Sequence, residues 1–130
     1  MRLPLLTASV LSLLGVCGTA SAQSIILKDA KGVDAYEVSF DGVAYNDDGT
    51  STWTYTFLEL GVGKDLSHWA VGLQTCHRLA DGTTAGYDFG PDGSTGFWGL
   101  KWDVEEQFDG GTYEIVLDRH HLMGDVEVIA

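Results

Sequence analysis

Apolar and polar residues alternate in short runs along most of this chain, the signature of half-buried β-strands. In 35–40 the residues Tyr36, Val38 and Phe40 fall on one face, and the pattern can continue through Val43, Ala44 and Tyr45. A turn cluster follows, Asn46-Asp47-Asp48-Gly49, because Asn, Asp and Gly tolerate the left-handed backbone of tight turns. In 52–57 Thr52, Thr54 and Thr56 alternate with Trp53, Tyr55 and Phe57. The two runs and their turn read as a hairpin. Further strands are expected at 97–104, with Trp98, Leu100 and Trp102 inward, at 112–118, with Tyr113, Ile115 and Leu117 on one face, and at 125–129. The segments 29–34, 105–111 and 119–124 read as turns or polar connections. The Gly-rich stretch 82–96 reads as loop around a short piece at 87–89.

One stretch, 65–81, supports two readings. Leu66, Trp69, Ala70, Leu73, Cys76 and Ala80 fall at helical spacing, with Asp65 as a cap and Gly82 as a stop. Against this, Trp69, Val71 and Leu73 alternate, and Gly72 would cost a helix interior about 1 kcal/mol. The balance favours a strand at 68–73. About six strands with turn signals between them, in a chain with 17 glycines, predict an all-β fold: a single-domain, mostly antiparallel β-sandwich of Ig-like or jelly-roll-like type. Its core is expected from Trp53, Tyr55, Phe57, Trp98, Leu100, Trp102, Tyr113, Ile115 and Leu117.

The beginning of the chain follows a different rule. Arg2 precedes an uncharged, mostly apolar run over 3–16, and Ala20-Ser21-Ala22 offers small residues before Gln23. This is the layout of a secretory signal peptide. The expected organisation is therefore a leader at 1–22 and a β-sandwich domain at 23–130, located outside the cell or in its envelope. A retained anchor fits less well, since 17–22 is small and polar where a span needs about 20 strongly apolar residues. No membrane span is expected after cleavage. A lipid-attachment reading of 14–17, ending at Cys17, is disfavoured by Val16, where a small residue is usual.

Charge narrows the partners. The net charge is −12, and losing Arg2 with the leader deepens it by one. Such a surface repels phosphates, which argues against nucleic acid and anionic membranes. Loss of the leader also leaves Cys76 as the one cysteine. Burial as a small hydrophobe is the favoured expectation for it, and pairing between chains is the alternative.

Several short pieces occur in a recognisable order: Thr52-Trp53-Thr54-Tyr55-Thr56-Phe57, Leu66-Ser67-His68-Trp69, Cys76, Gly86-Tyr87, Gly99-Leu100-Lys101-Trp102-Asp103 and Tyr113-Glu114-Ile115-Val116-Leu117. The order resembles a recurrent β module of secreted and surface-attached bacterial proteins, with a Ser-His-Trp segment, a Cys and a Gly-x-Lys-Trp-Asp strand. The resemblance implies a β-sandwich-like fold in an extracellular or envelope protein and transfers no catalytic residue.

Candidate chemistry is sparse. His68, His77, His120 and His121 lack the spacing of a zinc site. Asp47, Asp48, Asp88 and Asp92 are weak calcium candidates, because Asp is also the default residue of turns. Glu105-Glu106 does not by itself make a glycosidase pair. No Gly-x-Ser-x-Gly elbow or phosphate-binding loop occurs. The expectation is a non-catalytic structural or adhesive accessory with no cofactor, whose partner is a cell-surface protein or a polysaccharide. The alternatives are a small carbohydrate-binding module that stacks sugars on its tryptophans, or a calcium-dependent binding domain.

Overall fold

A computed structural model describes residues 8–10, 23–29, 31–60, 68–93, 97–104, 110–123 and 126–129. These residues form nine strands and no helix: β1 (Ala8–Val10), β2 (Gln23–Lys28), β3 (Asp34–Tyr45), β4 (Ser51–Glu59), β5 (His68–Gly72), β6 (Tyr87–Asp92), β7 (Phe97–Asp103), β8 (Gly110–Leu117) and β9 (Val126–Ile129). One sheet has the order β1-β9-β5-β7-β6 and the other β2-β3-β4-β8. Every pairing is antiparallel. The all-β sandwich expected from alternation is the observed fold.

Period 2 explains which residues meet. In the four-stranded sheet Ile25, Val38 and Phe57 share one register row, and Phe40, Tyr55 and Tyr113 another. In the five-stranded sheet Trp69 lies directly opposite Trp102, and Val71 opposite Leu100. The aromatic rings of the two inner faces lock together. Trp69 stacks on Trp102 at a centroid distance of 4.9 Å and meets Phe57 at 5.1 Å across the sandwich. Tyr113 closes the group, edge-on to Trp69 at 4.7 Å and tilted against Trp102 at 5.0 Å. Phe57, Trp69, Leu100 and Val71 are essentially sealed from water. Each such side chain contributes roughly 1.5–3 kcal/mol on burial, and well-placed aromatic pairs add about 0.5–1.5 kcal/mol more.

The ambiguous stretch resolves as strand. β5 buries Trp69, Ala70 and Val71, and Leu66 and Ser67 lie outside the described residues. Other expectations are corrected. The loop reading of 82–96 is too generous, since β6 runs to Asp92. Gly110 and Gly111 belong to β8 rather than to a turn, and 105–109, with Glu105-Glu106, lie outside the described residues. β2 was not anticipated at all. Trp53 and Trp98, expected inside, are only half-buried. Ala8–Val10, within the stretch read as a leader, pairs with β9 through three residues. A cleaved leader would carry β1 away and leave β9 as the edge of its sheet.

The free edge of β8 is covered by the chain itself. Ala80 and Thr84 donate backbone N–H groups to the carbonyls of Val116 and Glu114, at 2.8 and 2.9 Å. The hydroxyls of Thr83 and Thr84 accept from the N–H groups of Val116 and Glu114 in return, at 3.0 and 2.8 Å. An edge satisfied in this way does not template pairing with another chain. At the other end of β8, Gly110 has φ +138°, and a Cβ there would lie 2.4 Å from the Phe57 carbonyl oxygen.

Two stability outcomes follow from this packing. Trp102→Ala is expected to lose about 3–5 kcal/mol in denaturant unfolding, as large aromatic truncations in cores do. Gly110→Ala is expected to lose at least about 2 kcal/mol, from left-handed strain joined to a backbone clash. A loss under about 1 kcal/mol for either would contradict the packing described.

Candidate functional site

The two sheets do not end together. Toward Ser51 of β4 and Leu117 of β8, the facing sheet stops at Gly72 of β5 and Val126 of β9. The gap leaves a cleft of about 220 Å³ at this end of the sandwich. Trp53, Tyr55, Ile115 and Leu117 form the wall from the four-stranded sheet, faced by Leu73 and Val126. The connections 74–77 and 119–123 supply the rim, including His77, His121 and Leu122.

Hydrogen bonds from β3 and β4 fix this rim. Ser51 is fully buried; its hydroxyl donates to the Arg119 carbonyl at 2.6 Å and accepts from Trp53 Nε1 at 2.9 Å. One buried serine therefore holds both the indole wall and the start of the rim. Tyr45 donates its hydroxyl to the His121 carbonyl at 2.6 Å, and His120 Nε2 lies 3.0 Å from the Asn46 carbonyl. On the other side the Gln74 N–H donates to His77 Nδ1 at 3.0 Å, and the His77 N–H donates to the Gln74 carbonyl at 3.0 Å.

Three polar groups stand out against these apolar walls. Tyr55 is only 4% exposed, and among the described residues its hydroxyl makes no hydrogen bond. Burial pushes its phenol above the ordinary tyrosine range, so it stays a neutral donor. His121 Nε2 is buried without a partner among the described residues. His77 meets the His121 ring edge-on at 4.6 Å. Its pKa is lowered from 6.5, first by burial and then by the His121 charge, with Asp118 pulling the other way.

The residues singled out by sequence scatter. Asp48 accepts from both the N–H and the hydroxyl of Thr50 within the β3–β4 turn, at 2.9 and 2.6 Å. The Thr50 hydroxyl, then its backbone, holds the Asp48 carboxyl below the usual range. Asp47 is exposed in the same turn. Asp88 and Asp92 sit on β6, with Lys101 opposite Asp88 in the register. Among the described residues no three His, Cys, Asp or Glu side chains come close enough to hold a metal ion. His68 is half-buried opposite Asp103. The histidines regroup in a way spacing did not suggest: His77 joins His121, while His120 packs against Tyr45 at 5.0 Å. Cys76 is exposed on the rim turn, which overturns its expected burial. That turn follows the last residue of β5, so the thiol has no sheet to cover it.

The class defined so far is a two-sheet antiparallel sandwich with an aromatic centre and an apolar cleft at one end. Compared with known proteins, the chain matches no family model, no curated protein and no solved structure.

The His77 geometry sets a pH dependence. Between its lowered folded-state pKa and 6.5 the unfolded chain binds more protons. Stability is therefore expected to fall as pH drops through that window, and His77→Gln is expected to flatten the fall. NMR titration of the His77 ring should give a midpoint below 6.5; a midpoint at or above it would contradict the burial described.

Proposed function

We propose that the chain is exported, loses its leader before Gln23 and serves as a non-catalytic structural or adhesive accessory at the cell surface. The observation that carries this reading is the outer face of the four-stranded sheet. Ser24, Ser39, Thr56 and Thr112 stand side by side in one row across β2, β3, β4 and β8. Thr54 and Thr52 extend the hydroxyls into the next two rows, and Ile26 and Leu58 add exposed apolar area in the row on the other side. No lysine or arginine occupies these rows, while Glu37 and Glu114 do. Such a face suits a neutral, hydroxyl-rich partner and repels an anionic one. The fitting partner is a neutral polysaccharide of the cell envelope.

The burial pattern favours this face over a tryptophan platform for sugars. Trp69 and Trp102 are sealed in the core at 0% and 2% exposure. The resemblance to secreted and surface-attached bacterial β modules points the same way, as does the sequence layout of residues 1–22.

Two measurements test the proposal. Mass spectrometry of the exported product should begin at Gln23, and a product retaining Met1 would overturn export by cleavage. Co-sedimentation with an insoluble neutral envelope polysaccharide should be strong and should fall roughly ten-fold or more for Thr54→Lys/Thr112→Lys. Unchanged binding in that variant, or no binding by the natural chain, would overturn the adhesive face.

A further inference from the structure

We infer that the end cleft is a binding site for a small, uncharged, largely apolar molecule that carries an oxygen acceptor. This inference is independent of the adhesive reading, since the cleft lies between the sheets and the hydroxyl rows lie outside them.

The first argument is electrostatic. None of the described residues lining the cleft is Asp, Glu, Lys or Arg. Apart from the rim histidines His77 and His121, these walls offer a charged ligand no counter-charge, and its lost hydration costs several kcal/mol per ion. The second argument concerns orphaned polar atoms. Buried donors and acceptors almost always have partners. Here His121 Nε2 is buried with no partner among the described residues, and Tyr55, which lines the same cleft, has a hydroxyl that makes no hydrogen bond to them. An oxygen on the ligand gives the Tyr55 O–H the acceptor it lacks. A flat apolar body then lies against Trp53, Ile115 and Leu117.

The third argument is preorganisation. The Ser51 hydroxyl ties Trp53 to the Arg119 carbonyl, and the Tyr45 hydroxyl ties down the backbone at His121. The wall and one rim are thus held in place before any ligand arrives, which lowers the ordering entropy of binding. Leu122 stands at the mouth 90% exposed. An apolar side chain left in water at the mouth can gain burial by folding over an occupant.

The test is a matched series of single-ring probes followed by NMR on the purified protein: acetophenone (neutral acceptor), benzoate (anion), benzylammonium (cation) and ethylbenzene (no oxygen). Acetophenone is expected to shift Trp53 and Tyr55 signals saturably at millimolar concentration, with both charged probes at least roughly ten-fold weaker. Tyr55→Phe removes a hydroxyl that bonds no described residue, so the fold should persist. It is expected to weaken acetophenone roughly five-fold and leave ethylbenzene unchanged. Leu73→Trp, which fills the cleft, should abolish binding of both while the circular dichroism stays the same. The inference is overturned if acetophenone gives no saturable shift, if benzoate or benzylammonium binds equally well, if Tyr55→Phe leaves acetophenone affinity intact, or if Leu73→Trp still binds.

Discussion

Everything in this domain hangs on the closure of Phe57, Trp69, Trp102 and Tyr113 between the two sheets. Each sheet alone is a twisted ribbon with one apolar face exposed. Trp69 and Trp102, opposed in register on β5 and β7, supply a broad flat surface from one side. Phe57 and Tyr113 meet it from the other. The group also reaches the connections, since Trp102 Nε1 donates to the Thr84 carbonyl at 3.0 Å. Thr84 in turn lies along the edge of β8. One indole therefore couples the sandwich interior to the segment that protects its border. The seam has a defect: Trp69 Nε1 is buried without a partner among the described residues. Such an atom costs about 1–3 kcal/mol, which the surrounding ring contacts must exceed.

Backbone details let the sheets reach that arrangement. β3 is long, 12 residues, and pairs with β4 on both sides of one irregularity. A bulge between Phe40 and Gly42, where φ is +142°, re-aims the strand. Phe40 still faces inward against Tyr55 at 5.4 Å, while Asp41 reaches outward to accept from the Thr56 hydroxyl. Gly110 does the complementary task beside Phe57. Only a residue without a Cβ lets β8 lie that close to β4. The position of Phe57 in the seam thus depends on a glycine at the start of a neighbouring strand.

The legible part of the sequence was the part governed by side-chain period. β3, β4, β7 and β8 alternate, and most residues read as inward on them are buried, with Trp53, Trp98 and Tyr113 only half so. β2 escaped because Ile26 interrupts its alternation and ends up 41% exposed on the outer face. β6 escaped in part because Gly90 and Pro91 look like turn residues. Pro91 is tolerated there because β6 is the last strand of its sheet, where an N–H is not needed for a further neighbour. Cys76 misled because its apolar habit says nothing about where β5 stops. The cleft was invisible for a topological reason. Its residues come from β4, β8, the end of β5, the start of β9 and two connections, and no spacing along the chain reports which strands end early.

The seam also explains why a cleft sits at the end of the sandwich and not in its middle. The centre is filled by four large rings, so no ligand can enter without unstacking them. Beyond Val71 and Val128 the described lining from this side is Gly72 at the end of β5, Leu73 just after it and Val126 at the start of β9. The four-stranded sheet continues for another register row, carrying Ser51 opposite Leu117. Side chains that would have met partners across the gap meet a rim instead. Because the rim is bonded to Ser51, Tyr45 and Asn46, it cannot collapse inward without breaking bonds to β3 and β4. A rigid centre and a propped end thus have one origin: two sheets of unequal reach joined by a cluster too large to shift. The sandwich thus carries two surfaces of different chemistry, one polar and open on the outer face of the four-stranded sheet, one apolar and recessed between the sheets.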